Sequence, residues 1–320
     1  IEGQVTSAIN YLSAENLAKV YTLTGHDEPT LSTTFTKTLT KLNAETKELN
    51  FLKEDKVPDD AAAVIIFGPQ SDLSTDDVKK LDDYVADGGK VFVGLDVLKS
   101  ADEKNLNKFL NDNGIKATAG PVAETDDNYY YQTPYFLLPT VKDTKATTDV
   151  VGDLQVFIPL SAGLSKLKTD GVRFTTLMST TDKAIAKNSL TDSDSIQNAI
   201  SDTNTIKKES GDEQGKFALG LIAKNSNKGV VAAFGSVYTF TDQMNQQISG
   251  RNATLFSDVF AYLLPSDSGT SVSIPSKSID ATTLAINASS IRIFGLLFGI
   301  FLPLALIVYG IVVCIVRKRR

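Results

Sequence analysis

The chain has 320 residues, 42% of them hydrophobic, and its formal net charge is −6. Its first 291 residues hold 27 of the 32 basic residues and all 38 acidic ones, so they carry a net charge of −11. An acidic chain without a basic stripe is not expected to bind nucleic acid. The single cysteine, Cys314, excludes disulfides and thiolate metal sites from the rest of the chain.

The N-terminal half alternates strand and helix patterns. A β-rich run at 18–23 is followed by a turn at Gly25, a helical stretch over 29–42 and a strand at 45–49. The clearest strand, 61–67, is a continuous apolar run of the kind that is buried on both faces of a parallel sheet.

A helix and a second buried strand follow this run. Ser74 and Asp77 predict a capping box at the start of the helix, and the Gly-Gly pair at 88–89 ends it before a strand at 90–95. With a further helix over 102–113, residues 18–117 are predicted to form a doubly wound, mainly parallel α/β layer.

The pattern is looser over residues 118–264. Inserted loops are expected between shorter elements in this part of the domain. The elements expected there are a strand at 172–177, an exposed loop at 187–215, a strand pair at 217–223 and 229–234, and a closing helix at 252–264 with Asn252 as its N-cap.

The C-terminal segment has the composition of a membrane anchor, and a transmembrane helix is predicted over 292–316. The 24 uncharged residues from Ile293 to Val316 span roughly 36 Å as a helix, against a hydrocarbon core of about 30 Å. The basic residues at 317–320 favour a cytoplasmic tail, which places residues 1–264 outside the cytoplasm and makes 265–291 a stalk. The protein is therefore expected in the plasma membrane.

Three residues of this anchor suggest helix packing. Gly295 and Gly299 have the spacing that lets two membrane helices approach closely, and Pro303 predicts a bend. We expect this face to pack against another transmembrane helix. That helix belongs to a partner, to a segment preceding Ile1, or to a second copy in self-association.

His26 is the only histidine of the chain, and with Glu28 it forms a candidate ligand position. Both residues follow the first predicted strand, at the edge where open α/β sheets bind ligands. A functional interpretation makes them an acid/base pair or part of a metal site, but ordinary turn composition explains them better. Because Cys314 lies in the anchor, an amidotransferase-like triad cannot form. No catalytic residue, cofactor or metal site is predicted.

An aromatic run lies in the looser part of the domain. Because tyrosine is enriched at interfaces, the run is a candidate contact surface, although such runs are more often divided between core and loop. Its members are Tyr129, Tyr130, Tyr131, Tyr135 and Phe136.

Several of these segments resemble the GldG-type auxiliary proteins of bacterial ABC transporters (ABC-2-like). The resemblance rests on the runs at 21–28, 64–74 and 233–236 and on Gly250-Arg-Asn252, and it extends to the anchor and the basic tail. It implies a flavodoxin- or amidotransferase-like, Rossmann-like extracytoplasmic domain without amidotransferase chemistry. It also implies an ABC transporter permease and ATPase as partners.

Three function classes stay open at this point. The first is a non-catalytic, membrane-anchored accessory subunit of an ABC transporter, whose domain acts in docking or assembly. The second is a scaffold resembling the DDOST/Wbp-type subunit of the oligosaccharyltransferase. The third is an amidotransferase-like hydrolase, against which the missing nucleophile argues directly.

Overall fold

The computed structural model describes residues 17–99, 102–153, 155–201, 206–264 and 297–318. The chain divides into two compact units, Ile1–Ser278 and Ile279–Arg320. The predicted stalk and most of the residues before β1 lie outside the described part.

The first part of the larger unit is a parallel β-sheet layer with helical crossovers. Its strands stand side by side in the order β4-β3-β1-β2 and all of these pairs are parallel. Its elements are β1 (Ala18–Leu23), α1 (Thr33–Lys41), β2 (Ala44–Leu49), β3 (Ala61–Phe67), α2 (Thr75–Ala86), β4 (Lys90–Gly94) and α3 (Lys104–Asp112). The predicted α/β class and the crossovers within 18–117 are confirmed.

Alternate residues of these strands enter two separate cores. Val20 and Phe92 face one core, which α1 contributes to, whereas Tyr21 and Val91 face the other, which α2 and α3 contribute to. Because successive side chains of a strand point to opposite faces, one helix layer covers each face. The sheet is therefore doubly wound, as the continuous apolar runs predict.

The second part of this unit extends the same sheet with mainly antiparallel strands. These are β5 (Ile115–Ala123), β8 (Thr140–Val141), β9 (Gly152–Asp153), β11 (Ala162–Lys166), β12 (Arg173–Ser179), β13 (Ile185–Ala186), β14 (Glu213–Gln214), β15 (Ala218–Lys224) and β16 (Val230–Phe234). A separate three-stranded sheet, in the order β10-β7-β6, contains β6 (Tyr130–Tyr131), β7 (Thr133–Leu137) and β10 (Ile158–Pro159).

The strand β16 joins the two parts. It pairs antiparallel with β15, as the sequence predicts for this strand pair, and parallel with β4 on its other side. The parallel layer therefore has five strands, and its fifth comes from late in the chain.

Short helices close the larger unit. They are α4 (Ser193–Ser201), a 3-10 helix (Val237–Phe240), α5 (Asp242–Gln247) and α6 (Arg251–Leu263). Phe256 and Phe260 of α6 pack against Phe92 with ring centroids 5.6 and 5.3 Å apart, which seals one face of the sheet.

The predicted N-cap role of Asn252 is wrong. Gly250, in the left-handed conformation with φ 85°, precedes α6, and Asn252 lies inside the helix. Its buried side chain donates to the carbonyls of Phe157 and Thr239 and accepts from the amide of Phe157. The residue type favoured a cap, but a buried backbone segment needed the amide as a partner.

The predicted exposed loop at 187–215 is also more ordered than expected. It contains α4, and Lys187 is buried, with its Nζ 2.5 Å from Asp212 Oδ2 and 2.8 Å from Glu209 Oε2. Its polar composition concealed a buried ion pair, because sequence does not show which charged residues meet in space.

The smaller unit consists of a π-helical turn over Leu297–Phe301 and α7 (Leu302–Lys318). Among the residues described, we find no helix that combines the length and the apolarity needed to cross a bilayer.

Candidate functional site

The candidate site lies at the carboxyl edge, by which we mean the loops that follow β1, β3, β4 and β16. Ligands of open α/β sheets bind at the corresponding edge. Here the four loops bring together one histidine, several carboxylates, an amide and a phenol, and hydrogen bonds join neighbouring loops.

The imidazole of His26 lies between two carboxylates. Its Nδ1 is 3.0 Å from Glu28 Oε1 and its Nε2 is 3.1 Å from Asp77 Oδ2. Asp77 also accepts from the amide of Ser74 in the predicted capping box of α2, which the structure confirms. The carbonyl of His26 accepts from the amide of Gln70. His26 therefore ties the loop after β1 to the loop and helix after β3.

The two carboxylates favour the charged imidazole. The hydrogen bond to Glu28 raises the pKa of His26, partial burial opposes the shift, and the bond to Asp77 adds to it. Burial alone would raise the pKa of Asp77, but hydrogen bonds from Ser74 and His26 hold it below its usual value. Both ring nitrogens are occupied, so proton transfer to a substrate would require one of these bonds to break.

A second polar group surrounds Asp96, directly after β4. The Asp96 carboxylate accepts from Gln70 Nε2 at 3.1 Å and from the Tyr238 hydroxyl at 3.0 Å. Burial and the negative charge of Asp96 raise the pKa of Tyr238. The phenol is therefore a neutral donor, and the loop after β16 is tied to the loop after β4.

Glu103 lies next to this group, immediately before α3. It is only 2% exposed, and neither of its carboxyl oxygens has a hydrogen-bond partner. Burial, with the charges of Asp96 and Asp72, raises the pKa of Glu103 to about 8. The side chain is therefore neutral at pH 7, which avoids burying an unpaired charge.

Asp72, in the loop after β3, holds the start of α3. Its carboxylate accepts from the backbone amides of Asn105 at 2.8 Å and Leu106 at 3.1 Å. These amides belong to the first turn, which has no partner within the helix. Asp72 thus caps a helix that its own flanking residue, Glu103, does not cap.

The carboxyl edge is not arranged as a metal centre. Within the ranges that the structure describes, no three His, Cys, Asp or Glu side chains are placed to hold a metal ion.

The predicted aromatic run is divided between core and surface. Tyr135 is 1% exposed, whereas Tyr131 is 48% exposed. The rings of Tyr131 and Phe136 pack edge-to-face on Phe157, with centroids 6.2 and 5.7 Å apart. Tyr129 and Tyr130 are half-buried. The exposed part, Tyr131, Phe136 and Phe157, is called the aromatic patch below.

The predicted membrane-packing residues fall in the smaller unit. Gly299 lies in the π-helical turn and Pro303 is the second residue of α7. Proline is tolerated in a first helical turn, where its missing amide removes no intrahelical bond of that turn. Gly295 lies outside the described residues.

Sequence reasoning missed most of the carboxyl edge. Only His26 and Glu28 were singled out, and Asp77 was recognised as a cap alone. Asp72 and Asp96 could have been found by the rule that identified His26, because each follows a predicted strand closely. No signal identified Glu103 or Tyr238, because the burial of the one and the partner of the other depend on tertiary contacts.

Comparisons with known proteins identify the family of the larger unit. A family model described as ABC-type uncharacterized transport system matches residues 18–259. No curated protein matches the chain.

Solved structures share the fold at low sequence identity. The mmIFT52 N-terminal domain is 19% identical, with a TM-score of 0.53 over 77% of this chain and 97% of that domain. A putative GMP synthase protein from Thermoplasma acidophilum is 10% identical, with a TM-score of 0.39 over 78% of this chain and 96% of its own. PurLQS from Thermotoga maritima is 11% identical, with a TM-score of 0.40 over 78% of this chain and 100% of its own.

Proposed function

The chain belongs to the auxiliary proteins of ABC-type transport systems, and from this premise we propose that it is a non-catalytic accessory subunit whose α/β domain docks onto other subunits of the complex. Its partners in this proposal are a permease and an ATPase. The family favours this function over a scaffold of the oligosaccharyltransferase type.

The observation that carries the non-catalytic role is the pairing of His26. Its two ring nitrogens are bound to Glu28 and Asp77, at 3.0 and 3.1 Å. Among the residues described, neither bond joins the imidazole to a hydroxyl or thiol that it could activate as a nucleophile. The arrangement supports a tie between two loops better than it supports an acid/base catalyst.

Membrane anchoring is a further part of the proposal. Its support is the uncharged sequence from Ile293 to Val316, followed by four basic residues at 317–320. This run begins before the described helix α7. In the proposed arrangement residues 1–264 lie outside the cytoplasm.

The aromatic patch is the surface that we assign to docking. Tyr131 offers an exposed aromatic ring with a hydroxyl group, held in place by Phe157. Such rigid amphipathic rings supply much of the energy of protein interfaces. Pairing between these rings is expected to fix the Tyr131 ring before a partner binds.

Co-purification from the native membrane tests this assignment. Tyr131→Ser is expected to reduce recovery of the permease and ATPase in mild detergent, because it removes an exposed ring with little effect on the core. Leu52→Ser is the matched control, since Leu52 is 91% exposed on a different loop. Equal recovery with both variants would exclude the aromatic patch as the docking surface.

A further inference from the structure

The buried carboxyl group of Glu103 is the starting point. It is 2% exposed and neither oxygen is hydrogen-bonded. A protein can bury a neutral carboxylic acid in this state at modest cost, but an unpaired carboxylate would be strongly destabilised. The folded structure is therefore suited to the protonated side chain only.

The charges that face Glu103 come from three connections. Asp96 follows β4, Asp72 belongs to the loop after β3, and Asp102 and Lys99 lie on the connection that leads to α3 itself. Three of these four groups are negative when ionised. Lys99 acts in the opposite direction, but its effect is smaller than those of Asp96 and Asp72.

The same carboxylates hold the surrounding structure together. Asp72 accepts from the first-turn amides of α3, at Asn105 and Leu106. Asp96 accepts from Gln70 and Tyr238, in two other loops. A further negative charge placed among them would repel the groups that fix the start of α3 and join the neighbouring loops.

We propose that Glu103 carries a proton in the folded protein and that loss of this proton opens the start of α3. The carboxyl edge would then respond to the pH of its surroundings. The device stands independently of the proposed transport function, because it depends only on contacts within the domain.

The direction of the effect follows from linkage. The pKa of Glu103 changes from about 8 in the folded state to about 4.5 when opening exposes the side chain to water. Between these values the closed state binds more protons than the open state, so opening becomes easier as pH rises. The opening constant is expected to increase about tenfold per pH unit and to level off above about pH 8.

Hydrogen exchange of the full chain measures this opening. Mass spectrometry of peptides that begin near Asn105 reports protection of the first turn of α3, after correction for the intrinsic pH dependence of exchange. Measurements from about pH 6.5 to about pH 7.5 avoid the range in which Asp82 titrates, since burial and Asp112 raise the pKa of Asp82 only to about 6. Wild type should show about a tenfold rise in opening over this unit.

Glu103→Gln is the decisive variant, because its amide resembles the protonated acid and cannot ionise. It should abolish the rise, whereas Asp112→Asn, at the far end of α3, should preserve it. His26→Gln should also preserve it, because His26 binds Glu28 and Asp77 rather than the start of α3. A flat profile in wild type, or an unchanged rise in Glu103→Gln, would overturn the proposal.

A second measurement covers the case in which Glu103→Gln does not fold. Nuclear magnetic resonance of wild type with isotope-labelled glutamate side chains should show one carboxyl group that titrates well above pH 7. If every glutamate carboxyl titrates in the ordinary acidic range, Glu103 is ionised in the folded protein and the proposal fails.

Discussion

At the scale of single residues, His26 is a stabilising tie in this structure. Sequence alone allowed two interpretations, a ligand position and a turn residue. The structure adds that its imidazole joins Glu28 to Asp77, so the side chain connects the first crossover to the second. Its contribution to stability therefore depends on its charge.

We expect the stability due to His26 to decrease as pH rises. The bond to Glu28 raises the pKa of His26 in the folded state. The contribution is thus fully present below the unfolded value of about 6.5 and is lost as pH rises through the folded value. His26→Gln should cost about 1–3 kcal/mol of unfolding free energy at acidic pH and less at alkaline pH.

Urea unfolding of wild type and His26→Gln at several pH values checks this expectation. The difference between the two proteins is the informative quantity, because Glu103 titrates in both and its effect cancels. A difference that stays constant from about pH 5.5 to about pH 8.5 would mean that His26 is not charged in the folded protein.

At the scale of structural elements, the segment over 206–215 is held by a buried ion pair. Lys187, next to β13, contacts Asp212, whose side chain is fully buried, and Glu209. Hydrogen bonds to Asp212 and Glu209 raise the pKa of Lys187, although burial acts against them. The pair thus fixes a polar segment that composition alone would place in solvent.

Lys187→Met should destabilise the protein by about 3–5 kcal/mol, because it leaves Asp212 buried without its cation. Lys183→Met is the matched control. Lys183 is also paired, with Asp126 at 2.8 Å, but its side chain is 61% exposed, and loss of an exposed pair is expected to cost at most about 1 kcal/mol. Chemical denaturation compares them, and similar losses in both variants would contradict the buried pair.

The elements differ in how far sequence could predict them. The strand at Ala61–Phe67 and the capping box of α2 were predicted closely, because apolar runs and caps act through local sequence. The roles of Asn252 and Lys187 were not, because their partners are distant in sequence. The candidate site follows the same rule: His26 was recognised by its position after a strand, whereas Glu103 became notable only through its burial.

At the scale of the whole molecule, the predicted anchor leads to an expectation about assembly. Changing both Gly295 and Gly299 to Leu should preserve membrane insertion, because it raises the apolarity of the run. It should reduce co-purification of the permease and ATPase, since bulky side chains prevent close helix contact.

A double change of Ala305 and Val308 to Leu provides a control of similar apolarity in the same run. Detergent pull-down measures recovery in each case. If the double glycine variant recovers its partners at the wild-type level, assembly does not depend on these glycines and rests on the α/β domain.

The position of β16 has a consequence for how the domain is made. This strand, at Val230–Phe234, completes the parallel layer that begins at Ala18, and it lies between β4 and β15. During synthesis the ribosome releases the first four strands long before their fifth neighbour. Until then, one side of β4 has no native partner, and an unpaired apolar strand invites aggregation. Folding of this domain is therefore a late, non-local event, and a nascent chain halted before residue 230 should depend on chaperones to remain in solution.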